Sequence, residues 1–307
     1  MKPMTKPVLV LGGTGMIGFG VVSQLEARGI STRATTRHPD IVPERFTGRF
    51  EFFDAANSDL AALVAGYGPG DVVVNTLGLI KQYIRDEDLA QRSAAIVANA
   101  ELPTRLAALA VEQGFRVIHI TTDCVYSGSR GGYTEADLHD PVDVYGSTKS
   151  LGEIPSPAVL NIRCSVIGPE LRGFKSLLHW VLDHAEGTSF DGYTDHEWNG
   201  VTSVAFGRVV AGLVSTQSEL SGTVHLVPAD SVSKFELSGM ILREFGVRGV
   251  AVEPVVTGSS VNRVLATDDA DRNARLWRDA GYASPPSIVQ LVTELADTTP
   301  ANGEEHD

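Results

Sequence analysis

The chain has 307 residues, 43% of them hydrophobic, enough for one large α/β unit or two unequal lobes. A formal net charge of −13 argues against nucleic acid or an anionic membrane as partner. No apolar run approaches the roughly 18 residues of a membrane helix, and the two cysteines, Cys124 and Cys164, lie in no metal-ligand pattern and suit a reducing cytoplasm.

In chain order, "MKPMTKPVLVLGG" passes from a polar lead into a buried strand, without the cleavage pattern of a signal peptide. "MIGFGVVSQLEARG" reads as a helix ended by Gly29. "STRATTR" and "RFEFFD" are strands, "NSDLAALVAG" a helix and "DVVVNTLG" a strand. Residues 88–113 are mostly helix, "FRVIHITTD" is a strand, "DVYGSTKSLGE" a helix and "AVLNIRCSVIG" a strand. Such alternation predicts a Rossmann-type, doubly wound parallel sheet with helices on both faces, an α/β fold. The expected nucleotide-binding domain is residues 1–165. From 166 to 298 the pattern loosens into a smaller C-terminal α/β substrate lobe through which the last sheet strands, such as "GTVHLV", are threaded. Residues 299–307, in "TTPANGEEHD", read as a disordered tail.

"LGGTGMIG" places Gly12, Gly15 and Gly18, with Thr14, Met16 and Ile17 between them, where the first strand turns into the first helix. Small residues there let backbone approach a pyrophosphate at the positive helix end, so the loop predicts a dinucleotide site. The second strand ends in "TRATTRHPD", with Arg33 and Arg37 and no acid until Asp40. A guanidinium suits a 2′-phosphate, which favours NADPH over NADH.

"DVYGSTKSLGE" sets Tyr145 four positions before Lys149, on one helical face. That spacing suits solvent as well as chemistry. "ITTDCVYSG" brings Thr122 to the carboxyl end of the fifth strand, where ligands of such sheets bind, 23 residues before Tyr145. Hydroxyl, tyrosine and lysine in this order on a glycine-loop fold resemble the extended short-chain dehydrogenase/reductase family. "TTDCVYSG…GGYTEADLHDPVDVYGSTKSLGE" is most similar to its dTDP-4-dehydrorhamnose reductase branch. Members read S/T-T-D-x-V-F/Y-x-G, then Y-x-E, then Y-G-x-[ST]-K-x-x-G-E. "DVVVNTLGLIKQ" and "NIRCSVIGPELRGFKSLLHW" resemble a subgroup acting on UDP- or TDP-linked 4-keto-deoxysugars in polysaccharide or natural-product pathways.

The resemblance implies reduction of a ketone by NADPH. Tyr145 is then the proton donor, Lys149 the cation that tunes it and binds the nicotinamide ribose, and Thr122 a donor to the carbonyl oxygen. A free tyrosine, with a pKa near 10, is a sluggish acid–base at neutral pH, and a neighbouring cation lowers that value. Asn99 matches a helix residue that helps hold the lysine through water. Asp54 with Ala55 matches the adenine contact, Leu77 and Gly78 the strand end beside the cofactor, and Cys164 and Val166 the backbone over the nicotinamide carboxamide. Lys81, Gln82, Asp123, Cys124, Lys175 and Arg263 are candidate substrate contacts, and Arg172 a further donor to its diphosphate. The partner implied is a nucleotide sugar. In this superfamily the helices carrying Asn99 and Lys149 often form a dimer face, which allows a homodimer.

Other readings compete. His179 and His184 are five apart and share no helical face, and no His or Cys pair has zinc spacing, so no metal is expected. A dehydratase of the same superfamily follows its threonine with Asp-Glu, whereas Cys124 stands in the glutamate's place here. An epimerase reuses the same three residues. Some relatives are non-catalytic, NADP-binding regulatory subunits.

Overall fold

In the computed structural model, residues 4–46 and 48–299 are described, so the expected tail lies outside the described residues from position 300 onward. The first part of the chain alternates β1 (Val8–Leu11), α1 (Met16–Ala27), β2 (Thr32–Thr36), β3 (Phe50–Phe52), α2 (Leu60–Leu63), β4 (Val72–Asn75), α3 (Leu89–Ile96), α4 (Leu102–Gln113), β5 (Arg116–Ile120), α5 (Val144–Leu151) and β6 (Val159–Arg163). The second part holds β7 (Val166–Ile167), α6 (Leu177–Leu182), β8 (Ser189–Tyr193), β9 (His196–Trp198), β10 (Val201–Thr202), α7 (Ser203–Ser215) and β11 (Gly222–His225). It ends with β12 (Val232–Ser233), α8 (Lys234–Glu244), β13 (Ala251–Val255), β14 (Val261–Asn262), α9 (Ala270–Ala280) and α10 (Ile288–Thr298).

Seven strands form one parallel sheet in the order β11-β6-β5-β4-β1-β2-β3, the doubly wound arrangement expected from the strand–helix alternation. Strand β1 shows why its sequence is uninterruptedly apolar. Val8 and Val10 pack into a core with Val21 and Leu25 of α1 and Val209 of α7. Leu9 and Leu11 point the other way, into a core with Leu102 and Leu106 of α4. Helices cover both faces, so neither set of side chains meets water.

The chain reverses direction through the sheet between β1 and β4, and the loops after these strands flank a crevice at their carboxyl ends. The chain crosses between the two lobes repeatedly. Helix α7 packs on α1, and β11 pairs with β6, although both lie well past residue 166. Residues 177–198 and 232–252 build a separate core around Leu178, Trp198, Leu237 and Ile241.

Three local expectations differ from the structure. The run "AVLNIRCSVIG" is two strands: β6 stops at Arg163, and β7 leaves the main sheet to pair with β10. The helix in "NSDLAALVAG" is a single turn, started by the Asp59 carboxylate accepting from the Ala61 and Ala62 amides. Residues 89–113 form a continuous helical stretch long and apolar enough by length and composition to cross a bilayer, although polar residues interrupt its apolar run in the sequence. Its Leu102, Leu106, Ala107 and Ala110 are buried against the sheet.

One ion pair ties α5 to the sheet. Arg163, the last residue of β6, donates from Nε and Nη2 to the Glu153 carboxylate at 2.7–3.0 Å, and both side chains are about 5% exposed. Nη1 donates to the Tyr126 hydroxyl at 2.6 Å and meets His225 Nε2 at 3.1 Å. Arg163→Met leaves a buried carboxylate without its cation, a change that costs about 3–5 kcal/mol. A urea titration of this variant should show that loss; a loss under about 1 kcal/mol would show that the pair does not hold the helix.

Candidate active site

The glycine loop closes on itself before opening into α1. Gly12 N–H donates to Thr35 Oγ1 at 3.0 Å, Gly13 N–H to the Thr35 carbonyl at 2.8 Å, and Gly15 N–H to the Gly12 carbonyl at 2.9 Å. The Thr14 and Thr36 hydroxyls meet at 2.8 Å. A Cβ on Gly18 would stand 2.2 Å from the Gly12 carbonyl oxygen, so only glycine lets the helix begin this close to the strand. Gly15 caps α1 without a side chain, which leaves the first-turn amides of Met16, Ile17 and Gly18 directed out of the helix end. Open amides at a positive helix end fit a pyrophosphate.

At the end of β2 the two arginines separate. Arg33 is taken by Glu51, at 2.5 Å from Nε and 2.7 Å from Nη2, and does not face the cofactor crevice as a free donor. Arg37 is exposed, and no hydrogen bond or ion pair involves it among the described residues. It lies near enough to Asp54 to help lower that carboxyl, after the larger effects of the Asn57 side chain and the Ala56 amide. Ala55 is buried beside it. The loop after β4 sits against the glycine loop, with Thr76 N–H donating to the Leu11 carbonyl at 3.1 Å, and Leu77 and Gly78 follow.

Asn99 lies in a π-helical turn, residues 97–101, inside the long helical stretch. Such turns widen the helix and recur at functional sites. Its amide accepts from Leu79 N–H at 2.8 Å and donates to the Leu79 carbonyl at 3.0 Å and to Thr148 Oγ1 at 3.1 Å. It therefore clasps the loop after β4 to the helix of Lys149. These contacts are a direct clasp of the neighbouring elements, where the resemblance implies a water-mediated hold on the lysine.

Helix α5 starts at Asp143, which accepts from Gly146 N–H at 2.7 Å and forms an ion pair with Lys81 at 2.7 Å. Burial opposes the Asp143 carboxylate, but that amide and Lys81 outweigh it and lower its pKa. Lys81 is thus spent on the helix cap. Gln82 is exposed beside it. A Cβ on Gly146 would lie 2.2 Å from the Cys124 carbonyl oxygen, so α5 packs directly on the turn after β5 and brings Tyr145 to Thr122 and Cys124.

Thr122 is 6% exposed, accepts from Cys124 N–H at 3.2 Å and donates to Asp123 Oδ1 at 3.1 Å. Burial raises Tyr145 above the ordinary tyrosine value and the Cys124 thiol adds to this, while the Thr122 hydroxyl favours phenolate. Tyr145 is therefore a phenol at neutral pH in the cofactor-free chain. Lys149 is 5% exposed and donates from Nζ to the Ile120 carbonyl at 2.8 Å. Burial lowers it to about 8 against the attraction of Glu153 and Cys164. No bond joins Lys149 to Tyr145 among the described residues. The Cys124 thiol is pushed up to about 12, mainly by burial and then by Asp123, which makes it no acid at neutral pH.

The remaining candidates divide. Cys164 is buried and its thiol is raised by burial, with Lys149 pulling the other way; Val166 begins β7 beyond it. Arg263 donates from Nε to the Tyr126 carbonyl at 2.9 Å and lies near Cys124 and Asp143. Lys175 stands over the Tyr83 ring at 5.6 Å. Arg172 rests against His38 at 2.9 Å, at the β2 end of the crevice. The sequence reading passed over Lys234 and Trp198 in the second lobe, where the Lys234 ammonium stands over the Trp198 ring at 5.3 Å. The first is marked in the sequence only by the capping box Ser233-x-x-Glu236 that starts its helix. It also passed over buried His119, which meets the Asn75 amide at 3.1 Å beneath Lys149 and is held neutral by burial.

A Rossmann sheet with an open glycine-loop helix end and a hydroxyl, tyrosine and lysine at the carboxyl edge places this chain among NAD(P)-dependent oxidoreductases of the extended short-chain type. A family model described as RmlD substrate binding domain matches residues 5–186, and the chain belongs to that dTDP-4-dehydrorhamnose reductase-like family. It is 26% identical over 305 residues to a dTDP-4-keto-6-deoxy-D-glucose reductase of Streptomyces niveus, covering 97% of this chain and 98% of that one. It is 26% identical over 316 residues to a dTDP-4-dehydrorhamnose reductase of Mycobacterium tuberculosis, covering 98% and 96%. Among solved structures, dTDP-4-dehydrorhamnose reductase of Bacillus anthracis in complex with NADP superposes with a TM-score of 0.72 at 19% identity, covering 96% of this chain and all of that one.

The depressed lysine has a consequence for stability. Unfolded, Lys149 keeps its proton up to the ordinary value of 10.5, and folded it loses it near 8. Between those values the unfolded chain binds more protons, so this residue's contribution to stability rises with pH. Lys149→Met removes that contribution, and its urea midpoint should fall more steeply than the unmodified protein's between pH 8 and 10. Parallel slopes would contradict the buried, depressed ammonium.

Proposed function

We propose that this protein is an NADPH-dependent reductase of a nucleotide-linked 4-keto-6-deoxy sugar, acting in cytoplasmic polysaccharide or natural-product deoxysugar biosynthesis. The observation that carries the reading is the meeting of Thr122, Tyr145 and a thiol, Cys124, at one turn on the carboxyl edge of the sheet whose first strand carries the glycine loop. The names of the full-length relatives support it. The open amides of α1 would hold the pyrophosphate, Arg37 the 2′-phosphate, and Lys149 the ribose. When bound, NADPH supplies the hydride. Tyr145 holds the proton that the new hydroxyl needs, and burial keeps that proton in place across neutral pH. The Thr122 hydroxyl turns from Asp123 to the carbonyl oxygen and stabilises charge as it develops there. Lys149 moves from the Ile120 carbonyl toward the ribose and phenol, lowering the cost of phenolate.

Elimination of water needs a further acid–base, and a thiol at about 12 in the position of a dehydratase glutamate cannot supply one. Leu89, Ile96 and Leu151, exposed on α3 and α5, support a homodimer through these helices.

The test is NADPH oxidation on addition of dTDP-4-keto-6-deoxy-D-glucose, with the product identified by NMR. One NADPH should be consumed per keto sugar, and Tyr145→Phe should lower turnover by about 10²–10⁴-fold with folding intact. Elimination from dTDP-glucose without net change in cofactor would restore the dehydratase, and an active Tyr145→Phe enzyme would remove the tyrosine from its role.

Cofactor choice is tested separately. Arg37→Asp should lose one to two decades of NADPH affinity, equivalent to about 1.5–3 kcal/mol for a charged hydrogen bond, and narrow or reverse the preference over NADH. Equal affinities in the unmodified protein would refute the 2′-phosphate assignment.

A further inference from the structure

Ser176 draws together the two ends of the loop that joins β7 to α6. Its hydroxyl donates to the Gly168 carbonyl at 3.3 Å, and its N–H donates to Glu170 Oε2 at 2.7 Å. The residues between stand out as a compact loop with adjoining ends. Its base lies against the dinucleotide site, since a Cβ on Gly168 would stand 3.3 Å from Met16 Cγ in the first turn of α1. Its tip turns through Gly173 and Phe174, both left-handed with φ of 91° and 48°.

The tip touches two places far apart in the chain. Arg172 meets His38, just beyond β2. Gly173 and Lys175 meet Tyr83, beyond β4: the Tyr83 hydroxyl lies 2.5 Å from where a Gly173 Cβ would stand, and the Lys175 ammonium is 5.6 Å from the ring centre. In the sheet β1 runs between β4 and β2. The loop therefore bridges the two neighbours of the strand that carries the glycine loop, and arches over the open amides of α1.

His38 fixes which end of the crevice Arg172 has reached. It follows Arg37 directly, its N–H donates to Thr36 Oγ1 at 2.8 Å, and the Thr36 hydroxyl meets Thr14 of the glycine loop. Arg172 Nη1 lies 2.5 and 2.9 Å from the two ring nitrogens of His38. A neutral imidazole accepts at one nitrogen only and carries no negative charge, so the guanidinium keeps its charge and most of its donors. Among the described residues no carboxylate lies within 4.0 Å of either Arg37 or Arg172, in a chain with 38 acidic residues against 25 basic ones. Nine other arginines do have such a partner. Two uncompensated guanidinium groups from different lobes thus converge on consecutive residues at one edge of the crevice.

We propose that Arg172 is a second hold on the 2′-phosphate of NADPH, carried across the cofactor by the loop of residues 168–176. This rests on the NADPH reading above and deepens it: Arg37 holds that phosphate from the main sheet, and Arg172 holds it from the second lobe. A phosphate monoester has three terminal oxygens, enough for two planar guanidinium forks. The same contact closes the loop over the pyrophosphate. NADH, with a hydroxyl in that place, leaves the contact unmade. The position beside His38 favours the cofactor's phosphate over the substrate diphosphate to which the sequence resemblance assigned Arg172.

The experiment measures NADPH and NADH affinity by calorimetry for the unmodified protein, Arg172→Gln and Arg172→Lys. Arg172 is exposed at a loop tip, so both variants should fold. Arg172→Gln should weaken NADPH about 10-fold, the lower end for a charged hydrogen bond because the group is exposed, and leave NADH unchanged. Arg172→Lys should restore part of the loss. The KM for dTDP-4-keto-6-deoxy-D-glucose at saturating NADPH should not move. Equal losses for both cofactors would make the loop a general cover and overturn the proposal. Unchanged NADPH affinity, or a change confined to the sugar's KM, would overturn it too, while a preference for NADPH in the unmodified protein would leave the Arg37 reading standing. Equal affinities in the unmodified protein would refute that reading, and this proposal with it.

Discussion

The buried pair between Arg163 and Glu153 is the contact on which the site's geometry depends. Arg163 ends β6 and Glu153 follows α5, so the pair sets the distance between the sheet's carboxyl edge and the helix that carries Tyr145 and Lys149. Thr121 also donates to Glu153, from the residue next to Thr122, and Tyr126 and His225 complete the surroundings of the guanidinium. Burial disfavours the Arg163 cation, but the hydrogen bonds and charge of Glu153 outweigh this and raise its pKa. His225 gives Nδ1 to the Ala266 carbonyl and, with burial lowering its pKa, stays neutral as an acceptor. A pair of this kind is a weak source of stability, since desolvation offsets attraction, and its value lies in permitting one arrangement.

The net charge of −13 and an anionic set of ligands are reconciled locally. Several cations near the crevice are occupied inside the protein: Arg33 by Glu51, Lys81 by the cap of α5, and Arg263 by a backbone carbonyl. What remains at the carboxyl edge is the amide end of α1, exposed Arg37, and the depressed ammonium of Lys149. Backbone dipoles and a few cations in partly dry surroundings attract more strongly than the same charges scattered in water.

The crossing of the chain between lobes explains how the two walls keep register. Residues from β6 onward leave the main sheet through β7, return through α7 and β11, and leave again toward β12 and α8. The Asn199 amide brackets Leu265 with two hydrogen bonds, and His225 N–H donates to Glu135. These bonds tie the second lobe to the main sheet and to the loop after β5.

By itself the sequence determined the alternation of strands and helices, the glycine loop, and the order of hydroxyl, tyrosine and lysine. These rest on local rules: side-chain period, backbone freedom at glycine, and spacing along one helix. Only the tertiary structure decided which of two neighbouring arginines is free, because Glu51 is distant from Arg33 in sequence and adjacent in the sheet. The same holds for Asn99, whose partners lie twenty residues before it and forty-nine after. It holds most for Lys234, whose sequence surroundings announce a helix start and nothing more. Its place over the Trp198 ring is made by strand pairing between β9 and β12. Burial and long-range pairing are properties of the packed chain, and no short window of sequence contains them.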